Sequence, residues 1–533
     1  MTFSRRSLLA FLAGAPLAAS ACKRAPVPGS IRGGAMAVGH RLRDATVEQA
    51  SGPPLRVKVA IVGAGPSGLS AAWRLERLGE PSFVVLELEP QAGGTSAFGT
   101  DGVVPHPWGA HYVPLPSADN PALVALLDEL GVLESRSPVV AKETARVRAP
   151  EERVFADGAW HEGLLPRVLA GERDVAELRR FEQDVERWVR FRDARGRPAF
   201  ALPSRRSSDA AEVVALDRLT ASAYLDRLKI HSSWVRWYVE YACRDDYGLS
   251  LEQTSAWAML FYFASRATSA GQSAPFLTFP EGNGRLVRHL GSVAGARLRL
   301  GQLVTDVVPS EGEVALTSYD VASGRLTRVV AEQVILAIPK FVVRRVLRPY
   351  RDSPPAHLSQ LTYGVWVVSN VHLSGRPKSR GFELAWDNVI YDSASLGYVV
   401  ATHQSLRDQG PSVWTHYLPL IDAEPDVARR RVAEATHDEL ASAVLADLEP
   451  AHVELRRHVE RVDVWRWGHA MVRAVPDTIW SAGLAKARRP LGRVHFAHAD
   501  LSGLPLFEEA QDHGVRAAED VLTALGREVA RWT

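Results

Sequence analysis

At 533 residues the chain exceeds what one small core accommodates, so its length implies two or more domains. Hydrophobic residues make up 46% and charged residues 23%, the composition of an ordinary soluble globular protein, and a formal net charge of +2 gives no electrostatic footprint for a nucleic-acid partner. Arginine pairs such as Arg205-Arg206 and Arg488-Arg489 are scattered and read as solvated surface.

Residues 1–22 read as an export signal. Ser4-Arg5-Arg6-Ser7-Leu8-Leu9 precedes an alanine-rich apolar run to Ala21, too short for a comfortable membrane span, and Cys22 follows. The arginine pair matches a bacterial twin-arginine signal, which carries folded proteins to the periplasm; a general secretory signal with an incidental second arginine is the plainer alternative. Ala19-Ser20-Ala21-Cys22 has the small residues and cysteine of a lipoprotein box, which makes Cys22 a candidate lipid anchor. Ala19, however, stands where such boxes usually carry leucine, and an Ala-x-Ala site for ordinary cleavage is equally present. Cys243 is the other cysteine, so with Cys22 removed or lipidated no internal disulfide forms, and Cys243 is expected as a buried thiol. Residues 23–54 hold Pro26, Pro28, Gly33-Gly34 and Pro53-Pro54 with little apolar periodicity, and read as a tether or loosely packed lead-in.

The next stretch organises the rest. Residues 59–62 form an apolar run into Gly63-Ala64-Gly65-Pro66-Ser67-Gly68, a helical pattern covers residues 69–78, and a second apolar run covers residues 83–86. Strand, glycine turn, helix and strand in that order are the context a dinucleotide fingerprint requires. Gly63 permits the turn, Gly65 lets backbone approach a pyrophosphate, Gly68 lets helix and strand pack closely, and the helix start around Ser67 offers free N–H groups to the anion. Glu87, about twenty residues on, ends the second strand, where a carboxylate accepts both ribose hydroxyls and repels a 2′-phosphate. The pattern argues for FAD or NAD and against NADP.

Glu87-Leu88-Glu89-Pro90-Gln91-Ala92-Gly93-Gly94-Thr95 carries the glycine doublet that continues this fingerprint in flavoprotein amine oxidases and phytoene desaturases, and the chain resembles a member of the flavin-containing amine oxidase superfamily. That resemblance implies an α/β fold: a discontinuous Rossmann-like FAD-binding domain with an α+β substrate domain. Its implied layout is FAD-binding parts at 55–125, 277–345 and 486–533, a mostly helical substrate part at 126–276 and a sheet-and-helix part at 346–485. A tightly held FAD inserted before export also suits the twin-arginine reading.

Further along, Trp108-Gly109-Ala110-His111 resembles the family's Gly-Ala-His segment beside the flavin, placing Gly94, Thr95, Gly109, Ala110 and His111 in the cofactor set. His111 either faces flavin or substrate, or is a partly buried residue holding the loop. Asn120-Pro121 opens an amphipathic helix that ends at Gly131. The aromatic residues between Tyr224 and Phe263 are at helical spacing and read as core, and Arg244-Asp245-Asp246-Tyr247 reads as a polar pocket or a capped helix end, not as catalytic. Residues 279–284 resemble the Pro-x-Gly-Gly segment that returns the chain to the FAD domain, Val304 is the carried-over adenine contact, and residues 333–339 match the family's strand ending in Ile-Pro.

Residues 363–373, 398–402 and 413–418 have strand character and are expected to roof the flavin. Many amine oxidases carry a lysine on the first of these strands; here the nearest are Lys340 and Lys378, outside it, which leaves reaction of the reduced flavin with oxygen in doubt. Trp467 and His469 are candidates to line the pocket, against a strand whose aromatic face is core. Asp500 and Phe507 complete the implied FAD set through the closing Ala-x-Ala-Asp and Glu-x-Ala motifs. Glu509 replaces a family glycine and Leu506 stands where many relatives place a cage tyrosine, so an amine held between two aromatic faces is not expected. No cysteine lies near this motif, so FAD is expected to be non-covalent, and no metal site is expected. The catalytic residues stay unassigned, with His111, Trp467 and His469 as candidates. Three functions follow: hydride transfer from a substrate C–H, an amine by family weight, to flavin N5; desaturation or isomerisation of a hydrophobic polyene; or a flavin-binding partner protein without turnover.

Overall fold

The computed structural model describes residues 26–44, 50, 52–267 and 274–532. The signal sequence and Cys22 lie outside the described residues.

Strand Leu55–Val62 begins half-exposed and ends in four buried residues, Val59, Ala60, Ile61 and Val62. A strand covered on both faces belongs in the middle of a parallel sheet. It pairs in parallel with Phe83–Leu86 on one side and Leu326–Leu336 on the other. The far edge of Leu326–Leu336 is shared: its first half takes Val314–Asp320 antiparallel, and its last three residues take Val494–Phe496 in parallel. Register brings Val62, Leu86, Leu336 and Phe496 abreast at the carboxyl ends of their strands, the rim where open α/β sheets bind ligands. One sheet is thus built from three remote stretches of chain, and the expected α/β class holds.

Helices Pro66–Arg77 and Phe507–Ala524 pack on one face of this sheet, sharing a core with Ala71, Leu75, Val515 and Ala518. Their approach is close because position 514 is glycine: a Cβ there would meet Ser67 O at 2.1 Å. A buried ion pair, Arg74 Nη2 to Glu519 Oε1 at 2.6 Å, ties the same helices.

The other face covers a separate core that includes Val84, Val304, Leu316, Val343 and Phe496. Lys340 opens the helix Lys340–Val346 here, with Nζ 3.2 Å from the centroid of the Phe496 ring and no hydrogen-bond partner. Burial brings its pKa from the ordinary 10.5 down to about 7. Between those two values the unfolded chain holds the proton and the folded one does not, so stability rises with pH across that window; below about 7 the whole penalty persists. Lys340→Met is therefore expected to raise unfolding free energy at pH 6 by on the order of 3 kcal/mol, with the gain fading as pH climbs towards that of free lysine. Denaturant melts across that range check this, and equal midpoints at pH 6 count against it.

A second, eight-stranded sheet runs Ile31–Arg32, Val459–Val472, Tyr363–Leu373, Ser412–Pro419, Tyr398–Val400, Asp387–Ile390, Glu152–Ala156, Ala159–Glu162. Helices Pro425–Glu434 and His437–Leu448 cover one face through Ala428, Val432, Leu440 and Val444. The other face looks towards the first sheet and a helical layer centred on Ser233–Tyr247 and Ala256–Ala264.

Residues 126–276 are mostly helical, and within them Glu152–Ala156 pairs in parallel with Asp387–Ile390 and antiparallel with the edge strand Ala159–Glu162 of the second sheet. The lead-in is not a free tether: Ile31 and Arg32 pair with Val464 and Trp465, Ser30 N donates to Asp463 Oδ1 at 3.0 Å, and Ala35 N donates to Glu89 Oε2 at 2.9 Å. Backbone pairing with a remote strand leaves no periodic trace in a two-residue segment.

Candidate functional site

The glycine turn has the geometry its residues demand. Gly63 sits at φ +96°, donates to Leu86 O at 2.8 Å, and leaves no room for a Cβ, which would lie 2.5 Å from Ala337 O. Gly68 is equally obligatory, with Gly63 O at 1.9 Å from its ideal Cβ. Gly65 is different. Its backbone is ordinary extended chain, and the nearest atom to a Cβ there is Gly94 Cα at 3.9 Å, so the protein's own packing does not require glycine. Beside that gap Ser67 Oγ is buried without a partner at the start of the helix. An open cradle with free N–H groups and an orphaned hydroxyl at a helix N-terminus fits a pyrophosphate.

Glu87 closes the cradle. Its carboxylate accepts from Ala64 N at 2.6 Å and Glu89 N at 2.9 Å, which fixes it while leaving each oxygen a lone pair for ribose hydroxyls. Burial pushes its pKa up, and the two amides oppose that. Gly94, at φ +53°, and Thr95 form the turn Gly94–Ser96 directly after it. Val304 is buried in the core shared with Val84 and Leu86.

Residues 108–112 run along the wall between the sheets, fixed from four sides. Ala110 N donates to Thr95 O at 2.9 Å, Tyr417 Oη to Gly109 O at 2.8 Å, Trp467 Nε1 to Trp108 O at 2.7 Å, and Thr278 Oγ1 to His111 O at 2.6 Å. Gly109 needs its hydrogen because Thr95 O lies 2.2 Å from an ideal Cβ.

This wall borders a half-enclosed cavity that meets the FAD-set residues Thr95, Gly109, Ala110, His111 and Phe507. Aromatic surface comes from Tyr112, Trp366, Tyr417 and Trp467, and Leu506 lines the cavity beside Phe507. No lysine lines it among the described residues. Its other end is charged. Tyr112 Oη donates to Asp245 Oδ2 at 3.0 Å and Asp246 Oδ1 at 3.2 Å, and Arg266 Nη2 contacts Asp246 Oδ2 at 2.5 Å. Burial works against the Arg266 charge, but Asp246 and Tyr112 hold it firmly protonated, while its Nε and Nη1 stay unpaired. Burial and Asp246 raise the pKa of Asp245, and burial lifts Glu508 to about 7 with its Oε1 unpartnered.

The expected candidates divide. His111 lines the cavity among the rings of Tyr112, Trp386 and Tyr417, and burial lowers its pKa to about 4, so it is neutral at physiological pH. Trp467 also lines the cavity. His469 does not: the register with Tyr363–Leu373 slips between Met471 and Trp467, and His469 stacks on Phe341 at 4.2 Å beside Tyr363. Asp500 Oδ2 accepts from Lys340 N at 2.8 Å and Tyr363 Oη at 2.6 Å, while its buried Oδ1, 2.9 Å from His498 Nδ1, has no hydrogen-bond partner. Glu509 accounts for its own departure from the family glycine by accepting from Ser204 N at 2.6 Å and Ser204 Oγ at 2.8 Å. The tetrad at 244–247 splits by helix face: Arg244 donates to Ser395 O and Tyr247 to Ala258 O, whereas Asp245 and Asp246 enter the cavity. Arg266 and Glu508 were missed altogether. An arginine after an apolar helix and a glutamate inside a cofactor motif carry no pocket signal of their own.

Cys243 is buried in the helical core, away from the cavity lining, so no described thiol is placed to bond a flavin.

Comparison with known proteins covers nearly all of this architecture. The chain is 24% identical over 493 residues to a putative flavin-containing monoamine oxidase, AofH, of Mycobacterium tuberculosis, spanning 89% of this chain and 98% of that one. Among solved structures, putrescine oxidase bound to putrescine superposes with a TM-score of 0.64 at 20% identity, covering 88% of this chain and 100% of the other. Cyclohexylamine oxidase from Brevibacterium oxydans gives 0.62 at 17% over 88% of this chain and 100% of its own. A fatty acid isomerase from P. acnes gives 0.60 at 15%, covering 88% and 98%. The model for flavin containing amine oxidoreductases matches residues 66–522, from the start of the glycine-turn helix almost to the end of the last helix, and the chain belongs to that family.

Proposed function

We propose that this FAD-dependent oxidoreductase oxidises an amine whose cationic nitrogen is drawn into the cavity by Asp245, Asp246 and Glu508. The observation carrying this is the asymmetry of the cavity: aromatic and apolar walls beside the expected flavin contacts, and three carboxyl groups against the single guanidinium of Arg266. A polyene substrate leaves those buried carboxyls without a role, which their desolvation cost makes hard to sustain.

Gly63, Gly65, Ser67 and Gly68 would hold the pyrophosphate, Glu87 the ribose, and residues 94–95, 109–111 and 507 the ring system. When bound, FAD supplies the two-electron acceptor for a hydride leaving the substrate carbon. The chain's residues orient and desolvate. The Trp108–Tyr112 strip is rigid, Trp366, Tyr417 and Trp467 exclude water, and Glu508, titrating near 7, can take a proton from the incoming ammonium. The FAD is held non-covalently. Residues 1–25 lie outside the described part, and we carry forward the sequence reading of twin-arginine export to the periplasm, with Cys22 as a candidate lipid anchor; retention of an Arg5→Lys, Arg6→Lys variant in the cytoplasm is the expected result.

Anaerobic mixing with a panel of amines should bleach the oxidised flavin bands. A flavin that no amine reduces, but a polyene does, would overturn the reading.

A further inference from the structure

The lead-in ahead of the glycine turn crosses from one sheet to the other. Its first anchor is the second sheet. Ile31 and Arg32 pair with Val464 and Trp465, and Gly33, at φ +73°, lies so close to the Trp465 ring that a Cβ there would meet Cε2 at 2.1 Å. Gly34 follows at φ +71°, and two left-handed residues in a row turn the chain away from that sheet. The second anchor is the nucleotide sheet. Ala35 N donates to both oxygens of Glu89, Oε1 at 3.0 Å and Oε2 at 2.9 Å. A Cβ at Gly39 would touch Leu88 Cδ2 at 3.5 Å, and the Arg41 guanidinium lies 4.1 Å from the centroid of the Tyr319 ring. Leu42 packs against the core that holds Val84, Leu86 and Val304.

These landing points frame the adenosine end of the dinucleotide site. Glu89 N donates to Glu87 Oε1 at 2.9 Å, so the Ala35 amide holds a residue whose own amide holds the carboxylate expected to bind ribose. Tyr319 is the register partner of Leu303, the residue before Val304, the expected adenine contact. Burial pushes the Glu89 carboxyl up, and the Ala35 amide opposes that. Without that N–H the carboxyl at 89 loses its donor beside a second buried carboxyl at 87, and the turn that carries both loosens. The family match begins at residue 66, and the strap lies ahead of it.

We propose that residues 30–42 are a latch on bound FAD: seated on Leu88, Glu89 and Tyr319, they hold its adenosine half in place, and the cofactor leaves only when the strap lifts from the nucleotide sheet. The inference concerns the cofactor and stands apart from the choice of substrate. By linkage, a strap that tightens FAD binding is itself held down by FAD to the same factor.

Two experiments test the latch. Ala35→Pro removes the N–H that Glu89 accepts and keeps the backbone, because Ala35 already has φ −64° and follows a glycine. Losing a hydrogen bond to a charged group should speed FAD release from the holoenzyme about tenfold, read from free-flavin fluorescence, and weaken ADP binding to the apoprotein about as much. Riboflavin, which lacks the adenosine, should bind the variant as it binds the parent. Unchanged FAD release overturns the latch. Equal weakening of ADP and riboflavin, in a variant that melts like the parent, also overturns it and makes the strap a brace between the sheets. The second experiment needs no substitution. Tryptic cleavage after Arg41, whose side chain the seated strap lays on Tyr319, should be about tenfold slower in the holoenzyme than in the apoprotein. ADP alone should restore the protection and riboflavin should not; equal cleavage with and without ADP overturns the proposal.

Discussion

A valine at Gly65 is expected to give a folded protein that purifies without flavin, whereas an alanine at Gly68 should cost both the flavin and the fold around it. The distinction follows from what each Cβ meets. At Gly68 it would enter the carbonyl of Gly63 at 1.9 Å, so helix Pro66–Arg77 has to shift off the strand it packs on. Overpacking of this kind costs roughly 1–3 kcal/mol or more, and it displaces the amides that face the anion. At Gly65 the protein offers clear space, its nearest atom being 3.9 Å away, so the added methyls fall where the pyrophosphate is expected. Visible absorbance and thermal melts of the two variants separate the cases. Gly291→Ala, on the helix Gly284–Ala294 with only Leu298 Cδ2 near at 3.8 Å, is the control and should be neutral or more stable by about 0.5–1 kcal/mol. Flavin retained by Gly65→Val would refute the assignment of that gap.

Removing the guanidinium from position 266 should be among the most damaging single changes available in the cavity. Arg266→Met leaves Asp246 buried with no cation beside Asp245 and Glu508, and breaking a buried pair from one side costs about 3–5 kcal/mol. Arg266 holds the Glu508 carboxyl down, so without it that carboxyl rises above about 7. A carboxyl raised in the folded state loses stability as pH climbs from its unfolded value to its folded one, so the deficit of the variant should widen from acid towards neutral and alkaline pH. Adding Asp246→Leu should recover most of the loss, because it removes the stranded charge. Urea melts at pH 5 and pH 8 measure both effects, and a single variant within about 1 kcal/mol of the parent at pH 8 would show that Arg266 does not neutralise the cluster.

The nucleotide side was legible because its signals are local. Gly63, Gly65, Gly68 and Glu87 lie within one strand–helix–strand unit, and the buried runs at residues 59–62 and 83–86 are its strands. The strands Tyr363–Leu373 and Ser412–Pro419 were also readable from continuous apolar character, as suits a sheet covered on both faces. The acidic end of the cavity was only partly so. Asp245 and Asp246 lie in the tetrad that read as a polar pocket or a capped helix end, while Glu508 and Arg266 come from remote stretches and each alone resembles a solvated surface residue. His469 shows the converse, since its place on the strand suggested the pocket while a register slip turned its side chain onto Phe341.

The nucleotide sheet has a further consequence for how the protein comes into being. Val494–Phe496 must seat against Leu326–Leu336, and Phe507–Ala524 must land on the helix that follows the very first long strand, before the rim of the sheet exists. A chain emerging from the ribosome therefore carries an unfinished crest, with apolar faces uncovered, until residues 494–524 are made. Contacts of such sequence separation form slowly, and the cradle for the cofactor is completed only with them. Truncation before helix Phe507–Ala524 should accordingly leave a chaperone substrate and not a smaller enzyme.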